Sequence, residues 1–567
     1  MTGPPEARRI TGPHLLDDRP GAAMDVAYAP GDAGLAAAWS AWARRLLDAV
    51  GWGDEVVRVR EFAGGANLFA SAPPDALYAA TDLVELAWAR ATGAEPDTGA
   101  GPVERLREHI ARERDPRIVG LSRAAAARGL TFLHDDDGVS IGSGFRSRRW
   151  GPGDIPEPGA VDWSGIGEIP IALVTGSNGK TTTVRLTAAI AAAAGHRVGL
   201  TSTDGVIVDG ETVVETDYAG PMGARMVLRH PRATIAILET ARGGILRRGL
   251  AVRRADAAAV TSISEDHFGD FGVASLDDLA DAKLVITRVV PEGGSVILNA
   301  GDPLLRARGR ALGREVTWFA ADGSALDDLE AGRAFTVRDG TLVARTGTVE
   351  EPILDVAAVP ATFGGAATHN VANSLAAAAI ATSLPDPAGT ARIGLDAVRR
   401  ALGAFSSEPG DNSGRGNLLD LGGIRVLVDY AHNTEAMAAI GRMAAAIPAR
   451  RRLLLIGQAG DRTDDAIRGL ARAAWALEPD LLLVKELGEY LRGREPGDVP
   501  RLIVDELRRA GVPESRYEVH GSELAAVRRA LAWAEPGDLL VLLVHQDRQE
   551  VMRLLEGAGQ HPAQRLE

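Results

Sequence analysis

Apolar and polar positions along this chain repeat with two periods, about 2 and about 3.6 residues, and the way they alternate divides it into three stretches. Strand-length apolar runs at 169–174, 234–238, 257–263 and 294–298 are separated by alanine-rich segments of helical spacing. This is the alternation of a doubly wound parallel sheet. Between 316 and 352 the pieces are shorter and turn at Asp339-Gly340, which predicts a small β insertion ahead of a helix over 370–382. A second α/β layer, of the dinucleotide-fold type, begins near Gly414 with strands at 424–428, 453–456, 481–484 and 539–544. The first 150 residues are less regular. Helical spacing at 34–50, 75–91, 102–112 and 117–128, the last ended by Gly129, with strands at 55–62 and 130–133, predicts an α/β or α+β domain. Residues 92–101 are a flexible connection, and no repeat of fixed short period is present.

A proline- and glycine-rich linker at 151–167 sets the main boundary. The expected domains are therefore 1–150, a linker 151–167, 168–408 and 409–567, and a chain of 567 residues calls for three or four cores. The composition, 46% hydrophobic and 24% charged, is that of an ordinary globular protein. The net charge of −14 argues against a nucleic-acid partner, since no basic field draws in a phosphate backbone. With no cysteine, disulfides, thiolate nucleophiles and thiolate-bound metals are excluded. No uncharged apolar run nears the roughly 20 residues of a membrane span, so no membrane partner and a cytoplasmic location are expected.

Chemistry concentrates after the first apolar run of the central stretch. The run 169–174 enters Gly176-Ser177-Asn178-Gly179-Lys180-Thr181-Thr182-Thr183, followed by helical spacing over 184–194 closed by Gly195. Strand, glycine turn and helix in that order make a phosphate site. The glycines let backbone N–H groups approach an anion, the helix N-terminus adds its positive end, Lys180 supplies a point charge, and the Thr181 or Thr182 hydroxyl can hold magnesium. Val174 stands where the general P-loop pattern has its first glycine, so the loop is a shorter variant. Glu239 falls at the carboxyl end of a strand, where ligands bind in open α/β sheets, and can take the magnesium that bridges ATP phosphates. Asp266 and His267 follow another strand. Asn299, Asp302, His369 and Asn370 read locally as turn or cap residues, and Lys283 as a surface lysine on a helix. In the third stretch Arg415 can face phosphate, and Asp429 can accept from a ribose hydroxyl or hold a cation. The arginine-rich segments 242–254 and 492–494, with Arg242, Arg492 and Arg494, can clamp a carboxylate.

Taken in order, the phosphate loop, Glu239, Asp266-His267, Lys283, Asn299 to Asp302, His369-Asn370, Gly414-Arg415-Gly416 and Asp429-Tyr-Ala-His432 resemble the Mur ligase superfamily of ATP-dependent amide-forming enzymes. Thr-Ser-Thr-Asp-Gly-Val at 201–206, Glu-Thr-Ala-Arg-Gly-Gly-Ile-Leu-Arg at 239–247, Gly-Asp-Arg-Thr-Asp-Asp at 460–465 and Leu-Arg-Gly-Arg-Glu at 491–495 look like the Mur-type half of the cyanophycin synthetases. That similarity covers about 166–535. The front of the chain is similar to the N-terminal domain of those enzymes through 10–14 and 81–87, and 118–150 resembles their entry into an ATP-grasp domain whose remainder is absent here. The stretch 544–550 departs from the pattern and leaves the C-terminal edge of the substrate site open.

The resemblance implies a central P-loop Mur-type domain, a C-terminal Mur ligase domain, and a carboxylate phosphorylated by ATP and then attacked by an amine. It assigns Lys180, His267 and Lys283 to catalysis. Gly176 to Thr182, Asn299, Asn370, Arg415 and Asp429 would bind nucleotide, and Thr181, Glu239, His267 and Lys283 would serve Mg2+. In the family that lysine is often carbamylated. Arg242, His432, Arg492 and Arg494 are the substrate-side candidates. The expected partners are a small amino-acid or peptide substrate, an enzyme supplying the carboxylate, and further copies of the chain in a homo-oligomer. The alternatives are a catalytically idle nucleotide-binding scaffold that regulates a partner, and a P-loop motor or GTPase. The intact metal set counts against the first, and the short loop without a guanine-reading Asn-Lys-x-Asp against the second.

Overall fold

A computed structural model describes residues 5–29, 34–94, 101–265, 268, 270–406 and 414–560. The N-terminal domain is α+β. Its antiparallel sheet comprises β1 (Ala7–Ile10), β2 (Gly21–Ala27), β3 (Val57–Phe62) and β4 (Gly65–Ser71) in the order β1-β2-β4-β3. The helices α1 (Gly34–Ala49), α2 (Leu77–Ala91) and α3 (Gly101–Glu113) close a core around Trp39, Leu47, Leu68 and Leu83. Only β3 is legible in the sequence. β2 and β4 read Gly-Ala-Ala-Met-Asp-Val-Ala and Gly-Ala-Asn-Leu-Phe-Ala-Ser, and β4 is buried throughout, so neither alternates. Their small residues serve close packing: a Cβ on Gly65 would sit 2.1 Å from the Val26 carbonyl oxygen.

A small unit follows, with α4 (Pro116–Ala126) and the antiparallel strands β5 (Phe132–Asp135), β6 (Gly138–Ile141) and β7 (Arg148–Trp150). The strand expected at 130–133 starts two residues later because the Thr131 N–H and hydroxyl both donate to the Glu168 carboxylate (2.7 and 2.9 Å). The linker 151–167 packs against this unit, burying Ile155 and Val161 with Ile118, Leu121 and Val139. It acts as a structured strap between the units.

The central domain holds β8 (Ile171–Thr175), β9 (Val198–Ser202), β10 (Gly205–Val208), β11 (Glu211–Val214), β12 (Ile235–Glu239), β13 (Ala257–Val260), β14 (Ser295–Asn299), β15 (Val316–Ala320), β16 (Arg333–Arg338), β17 (Thr341–Thr346) and β18 (Val349–Asp355). They form one eleven-stranded sheet, β11-β10-β9-β12-β8-β13-β14-β15-β16-β17-β18, parallel from β9 to β16 with antiparallel ends. The insertion expected over 316–352 is a continuation of this sheet, since β15 is fully buried between parallel neighbours. Alternate residues of β8 face opposite cores. Ile171 and Leu173 meet α6 (Pro221–Leu228), α7 (Arg242–Arg248), α8 (Leu276–Arg288) and α9 (Pro303–Ala311), while Ala172 and Val174 meet α5 (Lys180–Ala193), α10 (Thr368–Ala381) and α11 (Leu395–Ala404).

The C-terminal domain carries β19 (Asn417–Asp420), β20 (Arg425–Asp429), β21 (Arg452–Ile456), β22 (Leu481–Lys485), β23 (Tyr517–His520) and β24 (Leu539–Leu543), ordered β19-β20-β24-β21-β22-β23 and parallel except for β19. The helices Thr434–Ala446, Asp464–Trp475 and Asp498–Arg509 cover one face, Glu523–Trp533 and Arg548–Gln560 the other. Among the described residues, no helix is long and apolar enough to cross a membrane.

Candidate active site

The phosphate loop leaves the C-terminal end of β8, at the middle of the parallel sheet, and opens α5. The helix begins at Lys180, four residues before the alanine-rich pattern, with Gly179 in a left-handed conformation (φ 82°) as its N-cap. Two glycines are required by close approach. A Cβ on Gly176 (φ 153°) would lie 1.9 Å from Thr261 Oγ1, and one on Gly179 would lie 2.3 Å from Asn373 Oδ1. Ser177 and Asn178 are tied to the loop after β13: the Ser177 hydroxyl donates to the Ser264 carbonyl (2.9 Å), and the Asn178 N–H donates to Ser262 Oγ (3.0 Å). Lys180 Nζ reaches the Ser177 carbonyl at 3.3 Å.

Glu239, at the end of β12, is buried beside the start of α5. Thr181 Oγ1 donates to Glu239 Oε2 (2.8 Å) and lies 3.2 Å from Thr203 Oγ1, whereas Glu239 Oε1 is buried with no hydrogen-bond partner among the described residues. Burial raises this carboxyl above its ordinary range, against the pull of Lys180 and Arg415. An unpaired buried carboxylate oxygen next to a hydroxyl at a phosphate-loop helix suits a hard divalent cation, so these residues fit magnesium. Lys283 is buried on α8 and donates to the Gly176 carbonyl (2.9 Å), so it is part of the loop's support and not a surface lysine. Asp266 and His267 lie outside the described residues, and no cluster of three or more His, Asp or Glu side chains gathers as a metal centre among the described ones.

The C-terminal domain supplies the opposite wall. Arg415 donates to Thr203 Oγ1 (2.9 Å) and stacks 4.5 Å over the Tyr430 ring. Burial pushes the Asp429 carboxyl up to about 6, opposed by Arg415 and by backbone N–H groups including that of Ala431 (2.7 Å). His432 and His545 contact Tyr430 edge-on, with ring centroids 5.4 and 5.2 Å away. Asn178 bridges the two domains: it donates to Glu435 Oε2 (2.7 Å) and accepts from Asn433 Nδ2 (2.9 Å). Asp204, beside Thr203, pairs with Arg185 (3.0 Å) and with Arg548 of the C-terminal domain. Burial works to raise the Asp204 carboxyl, but Arg415, Arg548 and Arg185 outweigh it and hold it below the ordinary range. Asp204, Glu435 and Arg548 carry no signal in the sequence that marks them for this site. Asp204 lies inside the motif at 201–206, and Arg548 in the stretch 544–550 that departs from the family pattern.

The remaining candidates divide. Asn299 donates to the Thr261 carbonyl (2.9 Å) and accepts from the Gly301 N–H (2.9 Å), bracing neighbouring strand ends. Asn370 donates to the Ala361 carbonyl (2.8 Å) and accepts from Asn373 (3.1 Å), which in turn accepts from Thr183 (3.3 Å). Thr182 is buried in the first turn of α5. Arg242, buried at the start of α7, reaches Asp270 (3.4 Å). Arg494 is committed to the carbonyls of Gly460 and Arg462 and to Asp464, all within 2.8 Å, which leaves it holding a loop in place of the expected clamp. Arg492 is exposed and lies 5.4 Å from the Tyr490 ring.

Comparisons with known proteins bear on the family and the fold. The family model of the Mur ligase middle domain matches residues 174–381, and that of the Mur ligase glutamate ligase domain matches 414–543. Cyanophycin synthetase of Crocosphaera subtropica is 34% identical over 378 residues, 66% of this chain and 42% of that protein. The chain therefore spans less than half the length of those relatives. The UDP-N-acetylmuramoyl-L-alanyl-D-glutamate–2,6-diaminopimelate ligase of Corynebacterium glutamicum is 30% identical over 407 residues, covering 68% of this chain and 72% of that one. Among solved structures, E. coli FolC in complex with DHPP and ADP superimposes with a TM-score of 0.50 at 20% identity, over 68% of this chain and 89% of that one.

Proposed function

Since the chain belongs to the Mur ligase family, we propose that it is an ATP-dependent carboxylate–amine ligase forming an amide or isopeptide bond on an amino acid or small peptide. The observation that carries the reading is the Glu239 carboxylate, buried with one oxygen unpaired among the described residues and the other 2.8 Å from Thr181 Oγ1 at the head of the phosphate loop. A protein that used the loop only as a turn has no reason to bury an ionisable group there, because an unpaired buried charge is costly. Thr181 and Glu239 would hold magnesium, and His267, together with Lys283 if its amine is carbamylated and so made anionic, would serve a second ion. When bound, magnesium spreads the negative charge of the outer phosphates.

The chain's own residues account for the rest. With the Ser177 and Asn178 N–H groups spent on Ser262, the Gly179 N–H and the α5 N-terminus cradle the phosphates, and Lys180 compensates charge on the transferred phosphoryl. A carboxylate oxygen of the substrate attacks the γ-phosphorus and ADP departs, giving an acyl phosphate. The amine then attacks the acyl carbon and phosphate leaves, with one proton released. Activation is needed because a carboxylate would otherwise have to expel oxide. Asn370, Arg415 and Asp429 contact nucleotide across the domain cleft, and Arg242, His432 and Arg492 line the substrate side, while the C-terminal domain keeps water from the acyl phosphate.

One ligation site implies one kind of bond. Two substrate sets fit: a preformed β-aspartyl-arginine-like dipeptide joined end to end, or a single amino acid added to a carboxylate supplied by another enzyme. Purified protein incubated with ATP, magnesium and either the dipeptide or free aspartate and arginine, with ADP and products followed by mass spectrometry, tests this. Amide product with stoichiometric ADP supports the reading, and polymer from free aspartate and arginine alone overturns the single-site part of it.

A further inference from the structure

Among the described residues the N-terminal domain meets the catalytic domain along the end of α7, where the Thr11 N–H donates to the Arg248 carbonyl (2.8 Å), at Arg253 and Arg288, and at the segment 270–278 that leads from the loop after β13 into α8. The contacts to this segment come from the face of the β2-β4-β3 sheet opposite its helices. Asn67, buried on β4, donates to the Phe271 carbonyl (3.0 Å) and to Asp25 Oδ1 (2.7 Å). Arg60 on β3 donates to Asn67 Oδ1 (2.9 Å) and to the Gly272 carbonyl (3.2 Å), and pairs with Asp278. Asp25 is held in turn by the two terminal nitrogens of Arg8 (2.8 and 3.2 Å). Arg8 also donates to the Leu246 carbonyl at the end of α7 (3.2 Å) and lies 4.9 Å over the Phe271 ring.

This gripped segment is strained and is attached to two site residues. Phe271 has φ 56° and ψ 28°, a left-handed conformation costing a bulky residue about 1–2 kcal/mol, so something outside the segment must hold it there. Gly272 follows at φ 68°, with the Phe62 ring 2.3 Å from where a Cβ would stand. On one side Asp270 reaches Arg242 (3.4 Å) at the start of α7. On the other, Asp278 completes the capping box of α8 with Ser275 (3.1 Å), and α8 carries Lys283 to the Gly176 carbonyl (2.9 Å). The network thus runs unbroken from a separate domain to an arginine at the substrate side and a lysine under the phosphate loop.

We propose that Asn67 and Arg60 of the N-terminal domain are positioning residues for the ligase site, holding the strained Phe271-Gly272 turn so that Arg242 and Lys283 stand in register with the phosphate loop. The assignment rests on the ligase reading for what is positioned, and on the hydrogen bonds above for how. The substrate side is reached through Asp270 and Arg242, whereas the phosphate loop has anchors besides Lys283, at Ser262 and Ser264. The two kinetic constants for substrate and nucleotide therefore separate.

The test uses the full chain with Asn67→Ala, Arg60→Ala and, as control, Glu61→Ala at the exposed next position of β3. Hydrogen–deuterium exchange of peptides covering 270–283 is expected to speed up at least tenfold in the first two variants and not in the control, with β8 and α5 unchanged. With the β-aspartyl-arginine dipeptide and MgATP, KM for the dipeptide should rise at least fivefold while KM for ATP stays within twofold. Arg60→Lys keeps a charge for Asp278 without the fork that also reaches Asn67 and Gly272, and is expected to fall between wild type and Arg60→Ala. It also serves if an alanine variant does not fold. Unchanged exchange over 270–283 in folded variants overturns the proposal, as does faster exchange with both KM values unaltered. If the wild-type protein makes no amide from the dipeptide, the ligase reading on that substrate fails while the exchange result still decides whether the N-terminal domain holds the turn.

Discussion

Replacing Glu239 by glutamine separates a metal-binding role from a structural one, because the two predict opposite signs. The side chain keeps its shape and can still accept from Thr181 Oγ1 through its amide oxygen (2.8 Å in the native protein), but loses its charge. Burial raises the native carboxyl above its ordinary pKa, so the ionised form costs stability at neutral pH when no cation faces it. Glu239→Gln without nucleotide or metal should therefore be at least as stable as the native protein, since the amide leaves no charge to be stripped of water. With ligand the order reverses. At MgADP one hundred times its Kd the native protein gains about 2.7 kcal/mol, and a hundredfold loss of affinity in the variant cuts that gain to about 0.4 kcal/mol. Calorimetric unfolding with and without MgADP, together with magnesium titrations of ADP formation, measures both limbs. A variant that keeps its magnesium half-saturation within threefold, or that is markedly less stable without ligand, would show that Glu239 is a structural carboxylate and not a metal ligand.

Lys180→Ala should lower amide formation by at least about a hundredfold with stability within about 1 kcal/mol of native, since among the described residues its side chain makes one hydrogen bond, to the Ser177 carbonyl at 3.3 Å; steady-state kinetics and thermal unfolding check this. Asp429, with its pKa pushed up to about 6, should give an acid limb near pH 6 in kcat/KM that Asp429→Asn abolishes. Its folded-state pKa lies above the ordinary 3.8, so the carboxyl is progressively a cost as pH rises from about 4 to 6, and the asparagine variant should gain stability across that window, by no more than about 3 kcal/mol, in urea melts at pH 4 and 7. Lys485→Met should destabilise the C-terminal domain by about 3–5 kcal/mol in the same melts, because it leaves Glu523 buried without its cation, while Lys485→Met with Glu523→Gln should recover only part of the loss, since the amide nitrogen then faces a backbone N–H such as that of His545.

The central domain is legible in the sequence because its parallel strands are continuous apolar runs and its loop needs glycines at two close approaches, a requirement written directly in residue types. Helix α8 shows where such reading stops. Nothing in Asp-Ala-Lys-Leu-Val separates a surface lysine from one that crosses beneath a strand end to the Gly176 carbonyl; only the helix's placement against β8 does. The N-terminal strands escape for the opposite reason. Glycine and alanine in β2 and β4 permit close packing against both neighbours, and the same smallness erases the alternation that marks a strand. The arginines divide on a matter of three dimensions: Arg494 spends its donors on two carbonyls and a carboxylate of its own domain, while Arg492, two residues away, is exposed.

The stretch 544–550, which departs from the family pattern, has a defined structural role. Lys485 and Glu523 form a buried ion pair behind it, and the Glu523 carboxylate accepts the N–H groups of His545, Gln546 and Asp547 (2.8, 3.0 and 2.7 Å). That satisfies the backbone groups leading into the helix Arg548–Gln560, which backbone hydrogen bonds within the helix cannot reach. The loop so fixed delivers His545 to the Tyr430 ring, Arg548 to Asp204 and Gln549 to Glu215 (3.0 Å), the last two across the cleft. Asn178 is meanwhile held from the same side by Glu435 and Asn433. The central domain is thus met by side chains of the C-terminal domain at two separated points, one on the phosphate loop at Asn178 and one at Asp204 and Glu215. Under the ligase reading, release of a nucleotide from the loop would require the Asn178 contacts to part, and Lys485 and Glu523, by fixing the loop that carries Arg548 and Gln549, would act on the cleft from a distance.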